Sequence, residues 1–426
     1  MKKVLIITYY WPPAGGPGVQ RWLKFVKYLR DFEIEPVLFI PENPTYPLTD
    51  KNLEREVPKN LQIIKRKISE PYSLAGLFSK KETETISSGI IAEEKNQGLL
   101  QSLMLYIRGN FFIPDARKFW IKPSVKYLIN FLKKENIETI ITTGPPHSLH
   151  LIGLNLKKEL SITWIADFRD PWTQIGYHSK LKLSKRAQKK HELFEREVLN
   201  SADKIIATSH TTKAEFEGKT KKPVFLITNG YDEVKFSEPV IPDENFSFSH
   251  IGSLLSGRNP KFLWENFREL IAEDAEFKNS FKLRLVGKVS PEVIKSIKAN
   301  KLEDHLELIP YVSHMEALKL QRKSQVLLLL EIDSIETRGI IPGKIFEYLN
   351  AKRPIMAIGP KKWDVQKILK ETGAGECFEY TDKEAVKIQL KKLFSEYKKG
   401  ALISEPKNIT QYSRKMLTGK LANLLK

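Results

Sequence analysis

A chain of 426 residues is longer than one hydrophobic core usually organises, so two domains of about 200 residues each are expected. With 41% hydrophobic and 28% charged residues, the composition excludes a disordered chain. Seventy Lys and Arg against 51 Asp and Glu give a formal charge of +19, which points either to a polyanionic partner (nucleic acid, an anionic membrane face, phosphorylated ligands) or to an ordinary lysine-rich exterior. The single cysteine, Cys377, excludes an intrachain disulfide framework and a zinc site built on several thiolates, and reads as a buried small hydrophobe in a reducing compartment.

The chain opens on Met1-Lys2-Lys3 and Val4-Leu5-Ile6-Ile7, which imitates a signal peptide until Tyr9-Tyr10-Trp11-Pro12-Pro13 interrupts it. The apolar run is too short for a signal sequence and reads as a first buried strand. No stretch approaches the roughly 20 apolar residues that span a bilayer, so the expected location is cytoplasmic or peripheral at the inner face of a membrane. Strand candidates in the first half are Val4–Thr8, Pro36–Ile40, Thr139–Thr142, Thr163–Ala166, Lys204–Thr208 and Val224–Ile227. The second half repeats the pattern with Phe246–His250, Lys282–Val286, Leu306–Ile309, Val326–Leu330, Pro354–Ile358 and Gly375–Glu379. Amphipathic stretches separate them, as in βα units packed on parallel sheets. Glu233–Asn245, with Pro239 and Pro242, is the linker candidate, which divides the chain into 1–240 and 246–408; 409–426 reads as a helix packing back on the first domain.

One insertion, 68–122, is too long for a lean βα unit. Its polar half is Lys80–Asn96; its apolar half, Leu99–Ile113, repeats Leu99, Leu100, Leu103, Met104 and Ile107 at helical spacing. A core helix is one reading. A membrane-facing or lipid-acceptor helix is the other, because Phe111, Phe112, Arg108, Arg117 and Lys118 adjoin it.

Four clusters could carry chemistry. After the first strand, Trp11–Gly18 includes Gly15, Gly16 and Gly18 and leads into a helix, so its backbone N–H groups and the helix dipole suit a phosphate; a tight turn is the plainer explanation. It matches neither the dinucleotide fingerprint nor the Walker pattern. In the second half, Pro342-Gly343-Lys344 opens a helix carrying Glu347, where Gly343 and Lys344 could meet phosphate and Glu347 ribose hydroxyls, unless Glu347 is only a solvated helix charge. Thr142–His150, with His147, and Asp167-Phe168-Arg169-Asp170-Pro171-Trp172 follow successive strands. Two acids, an arginine and a histidine on adjacent loops suit holding a polyol or phosphate acceptor and managing its proton, although a lone histidine is more often structural.

The order of glycine-rich loop, Asn229-Gly230-Tyr231-Asp232, Gly252-Ser253-Leu254 with Arg258, then Lys344-x-x-Glu347 resembles family 4 glycosyltransferases of the GT-B fold over nearly the whole chain. The resemblance implies two Rossmann-like doubly wound α/β domains facing across a cleft, the first on the acceptor side and the second binding the donor. It implies a nucleotide diphosphate sugar as donor, transfer with retention, and no metal or other cofactor. Gly15, Gly16 and Gly18 then fall on the diphosphate loop, and Arg258 stands where the family has its diphosphate-binding lysine. Glu347 matches the second acid of the paired-glutamate motif, and Tyr311 and Val312 match the loop that meets the nucleobase. The first glutamate falls at Gly339 and the usual arginine at Ser253, leaving Glu336, Arg338 or Lys344 to compensate. The usual acceptor loops are replaced by Gly144–Ser148 and Asp167–Trp172. His147, Asp167 and Asp170 are the catalytic candidates, with Arg169 and Trp172 on the acceptor side.

The expected partners are a nucleotide sugar, a polysaccharide, lipid-linked or other glycan acceptor, and an anionic membrane surface. A nucleotide-sugar epimerase of similar fold is the alternative enzyme. A basic nucleic-acid-binding protein is the alternative of another class, but no helix-turn-helix, zinc or RNA motif accompanies the charge.

Overall fold

The computed structural model describes residues 1–70, 99–174, 181–234, 236–400 and 402–426. They form two compact units, Met1–Asn229 with Arg414–Lys426, and Gly230–Ser413. The polar stretch Lys80–Asn96 lies outside the described residues.

The first unit is built on a seven-stranded sheet in the order β3-β2-β1-β4-β5-β6-β7. Its strands are β1 (Lys2–Ile7), β2 (Ile34–Pro41), β3 (Gln62–Arg66), β4 (Thr139–Gly144), β5 (Thr163–Phe168), β6 (Lys204–Ala207) and β7 (Val224–Leu226). Every pairing is parallel, as helical crossovers on both faces require. Because side chains alternate along a strand, Leu5 and Ile7 enter one core with Phe39, Ile140 and Trp164, while Val4 and Ile6 enter the other with Trp22, Leu38 and Ile165.

The helix Arg414–Leu425 belongs to that second core, contributing Leu417, Leu421, Ala422 and Leu425. Lys2 Nζ donates to the Leu425 carbonyl at 2.6 Å, and Lys415 pairs with Asp31 at 2.9 Å.

The second unit carries a six-stranded parallel sheet, β10-β9-β8-β11-β12-β13. Its strands are β8 (Phe246–Ile251), β9 (Phe281–Val286), β10 (Leu306–Ile309), β11 (Val326–Leu330), β12 (Ile355–Gly359) and β13 (Gly375–Glu379). Alternation again divides them: Val326, Leu328 and Leu330 pack on one face, Leu327 and Leu329 on the other. The stretch Glu233–Asn245 falls inside this unit, where Asp243 accepts from Arg284 at 2.6 Å and from Ser247 at 2.7 Å.

Within the insertion, the helix Leu99–Phe111 buries Leu105 and Gly109 and exposes Leu103 and Ile107. The face expected from Leu103 and Ile107 is therefore not the packed one. Gly109 makes the close approach instead, since a Cβ there would lie 2.7 Å from the Leu181 carbonyl oxygen. Among the described residues no helix is long and apolar enough to cross a membrane.

In both sheets the strand order reverses beside the first strand, between β1 and β4 and between β8 and β11. Loops leaving the carboxyl ends of such strands diverge and open a crevice, the place where open α/β sheets bind ligands.

Candidate functional site

The candidate residues fall into two groups, one in each unit. In the first, the chain leaves β1, turns through Pro12–Gly16 and enters the helix Pro17–Leu29. Gly15 donates its N–H to the Leu48 carbonyl at 2.8 Å, and Gly16 takes φ +91°, a conformation glycine adopts without cost. Gly18 is a glycine for another reason: a Cβ there would lie 2.1 Å from Nη1 of Arg169.

Arg169 joins three loops. Its N–H donates to the Gly144 carbonyl at 2.9 Å, its Nη2 donates to the Pro145 carbonyl, and its guanidinium lies against Gly18 with Cζ 5.6 Å from the Tyr10 ring centroid. The loops after β1, β4 and β5 thereby share one cation.

His147 lies parallel to the Trp172 ring at 4.7 Å, and Trp172 Nε1 donates to His191 Nδ1 at 3.1 Å. His150 stacks on Phe168 at 4.2 Å, with Nδ1 2.8 Å from the Thr142 hydroxyl. Burial drives its pKa down to about 3, against the raising pull of Asp167, so the ring is neutral at physiological pH.

Asp167 is wholly buried and accepts from four donors: Arg21 Nη2 at 2.8 Å, Arg21 Nε at 3.3 Å, Trp22 Nε1 at 2.8 Å and Thr143 Oγ1 at 2.9 Å. Burial alone would raise its pKa, but the Arg21 charge and these hydrogen bonds outweigh it and hold the group below the usual carboxylate value. A carboxylate so engaged keeps its charge and positions its neighbours. Arg21 continues to the carbonyls of Ile227 at 2.9 Å and Thr228 at 2.8 Å. Asp170, two residues beyond Phe168, is exposed.

In the second unit, Gly252 follows β8 with φ +117°, and a Cβ there would lie 2.7 Å from Nζ of Lys344. Lys344 opens the helix Lys344–Ala351, and its Nζ lies 3.2 Å from His250 Nε2. His250 Nδ1 lies 3.1 Å from the Leu328 carbonyl, so Nδ1 carries the proton and Nε2 accepts from the lysine. Burial, reinforced by the lysine charge, holds His250 well below the ordinary histidine value.

Lys344 is itself lowered to about 8, by burial first and by Arg258 second, with Glu331 and Glu347 opposing. Arg258 makes a two-pronged contact with Glu331, Nε to Oε1 at 2.8 Å and Nη2 to Oε2 at 3.2 Å. Glu331 is fully buried immediately after β11. Two cations therefore face the crevice beside one buried acid and a helix N-terminus, an arrangement suited to a diphosphate.

Glu347 accepts from Gln321 Nε2 at 3.0 Å and lies 3.8 Å from His314 Nε2, so its carboxylate is partly committed within the unit. Gly343 has open space where a Cβ would stand. Tyr311 is 81% exposed beside a half-buried Val312, which leaves its ring free as a stacking platform. Among the described residues no group of three or more His, Cys, Asp or Glu could hold a metal ion. Cys377 is held in β13 with its thiol pushed up to about 12 by burial, which makes it inert.

Arg21, His250 and Glu331 were not singled out in the sequence as site residues. Arg21 sits within the apolar run of its helix, and Glu331 ends the run Val326–Leu330; a charge in such a place is the signal that identifies them.

Residues 90–235 match the family model described as Glycosyltransferase Family 4. A search of curated proteins by sequence finds no match. Among solved structures, a glycosyltransferase from Rickettsia africae is 14% identical, with 99% of this chain and 97% of that one covered at a TM-score of 0.59. Anabaena HepE in complex with UDP and glucose is 12% identical, with 100% and 99% covered at 0.60. A Listeria monocytogenes protein assigned as a UDP-N-acetylglucosamine 2-epimerase is 13% identical, with 100% and 96% covered at 0.56.

Proposed function

We propose that the chain, which has the GT-B fold and whose residues 90–235 match the family 4 model, is a glycosyltransferase of that family and moves a sugar, with retention, from a nucleotide diphosphate sugar to a glycan acceptor. The observation that carries the donor part is Lys344 beside the Arg258–Glu331 pair at the switch point of the second sheet, where Gly252 leaves room for the lysine. As the bond from the anomeric carbon to the phosphate oxygen breaks, charge grows on the departing diphosphate. Two fixed cations and a helix N-terminus stabilise that charge without a divalent metal.

The acceptor hydroxyl adds to the anomeric carbon from the face the diphosphate leaves and gives its proton to that phosphate. Arg169 and the His147–Trp172 stack then orient the acceptor, while Asp167 holds Arg21 and the loops in place. HepE, crystallised with UDP and glucose, supports a UDP-sugar as the donor to try first.

A peripheral stay at the inner face of a membrane is supported by exposed Leu103, Ile107, Phe111 and Phe119, with Lys118 4.9 Å from the Phe119 ring centroid. Cosedimentation with anionic vesicles at low salt, absent with neutral ones, checks it.

The test of the main reading is calorimetric titration with UDP-, GDP-, ADP- and CMP-sugars in EDTA, followed by product analysis. One nucleotide sugar should bind, and Arg258→Ala or Lys344→Ala should weaken it by about 10- to 100-fold. Binding of none at millimolar concentration sinks the reading. Nucleotide release with an altered free sugar and no glycosylated product would favour an epimerase, the activity assigned to the Listeria structure.

A further inference from the structure

A second concavity of about 570 Å³ opens in the first unit, away from the residues above, lined by Glu42, Arg66, Trp120, Ser124, Lys126 and Tyr127 among others. This is within the range of about 300–1,000 Å³ typical of small-molecule sites. Glu42 and Arg66 lie at the carboxyl ends of β2 and β3, where Glu42 N–H donates to the Arg66 carbonyl at 2.8 Å. The groove thus opens at the same end of the sheet as the loops after β1, β4 and β5. Two strand spacings from β1 amount to about 10 Å, a distance that two linked sugar rings span.

Its walls are chemically one-sided. Arg66, Lys67 and Lys126 face a single acid, Glu42, and the Arg66 guanidinium lies 3.7 Å over the Tyr127 ring. Trp120 and Ser124 are each 1% exposed, yet Trp120 Nε1 and Ser124 Oγ have no hydrogen-bond partner among the described residues. Both residues line this groove, with these two polar atoms beneath its surface.

We propose that the groove is a remote acceptor subsite for an acidic sugar, one bearing a carboxylate. Arg66 and Lys126 hold the carboxylate, and the ring lies along the Tyr127 edge. The proposal rests on the acceptor role given to the first unit above.

The test titrates the full chain calorimetrically with digalacturonic acid, with neutral cellobiose and with inorganic phosphate. The acidic disaccharide should bind at least about tenfold more tightly than either of the others, since only it offers both charge and ring. Arg66→Glu with Lys126→Glu, both at exposed positions, should weaken it by a further tenfold or more, while donor affinity in the same preparations stays within about twofold. Equal binding of cellobiose overturns the charge requirement, equal binding of phosphate overturns the sugar requirement, and indifference to the double substitution overturns the location. A chain that binds the acid but no nucleotide sugar supports the groove and counts only against the donor reading.

Discussion

Lys344 is asked to be charged in a place that disfavours charge. Its pKa of about 8 means that the free site is cationic below that value and neutral above it, where an ordinary lysine would hold its proton to about 10.4. Affinity for an anionic donor should therefore be flat up to about pH 8 and fall above it, by at most tenfold per pH unit. Lys344→Arg should remain flat across the same range, because a guanidinium does not titrate there. Calorimetry from pH 6.5 to 9.5 reads this directly, and a flat wild-type profile would remove Lys344 from the donor site. The sign for stability is opposite. A lysine whose folded pKa is depressed releases its proton more readily when folded, so its contribution to stability rises as pH climbs from about 8 towards the unfolded value.

At the scale of elements, the Asp167 network links the helix Pro17–Leu29, β4, β5 and the carbonyls that follow β7. Asp167→Ala leaves Arg21 buried and uncompensated, and urea unfolding should show a loss of about 3–5 kcal/mol. Lys387→Ala, which breaks two surface pairs at 2.7 Å, should cost within about 1 kcal/mol. A small loss for Asp167→Ala would mean that water or relaxation replaces its four contacts.

The same scale shows what was legible in the sequence. Buried parallel strands are often continuous runs of Val, Ile and Leu, so β1 and β11 announce themselves, whereas β8 reads as an alternation of Phe and Ser. The edge strand β3 was missed because Gln62, Lys65 and Arg66 are exposed and leave no run to find. The glycine-rich loop and Lys344 were visible as motifs. Arg169 was visible only as a charge near two acids; its contact with Gly18 joins positions far apart in the chain, which no local pattern encodes. The apolar spacing of Leu99–Ile113 marked a helix but left its packed face open between core and membrane; Leu103 and Ile107 are exposed while Gly109 packs against Leu181.

At the scale of the whole molecule, the first unit is assembled from two stretches of chain and the second from one. Residues 414–426 fill a core otherwise made by the start of the sequence, with Leu417, Leu421 and Leu425 at most 2% exposed. Deleting them should destabilise the first unit by on the order of 5 kcal/mol, from three buried leucines alone. Differential scanning calorimetry should show the first unit's transition moved down and that of Gly230–Ser413 unchanged; a truncated chain that melts like the full one would place the helix outside the cooperative core. The arrangement also orders events on the ribosome. Gly230–Ser413 is continuous and can fold as it emerges, whereas β1 and the helix Pro17–Leu29, made before it, wait for nearly four hundred residues before Leu417 and Leu421 arrive to cover them. The unit begun first is thus completed after the one begun later, and its uncovered apolar surface is what a chaperone acting during synthesis would shield.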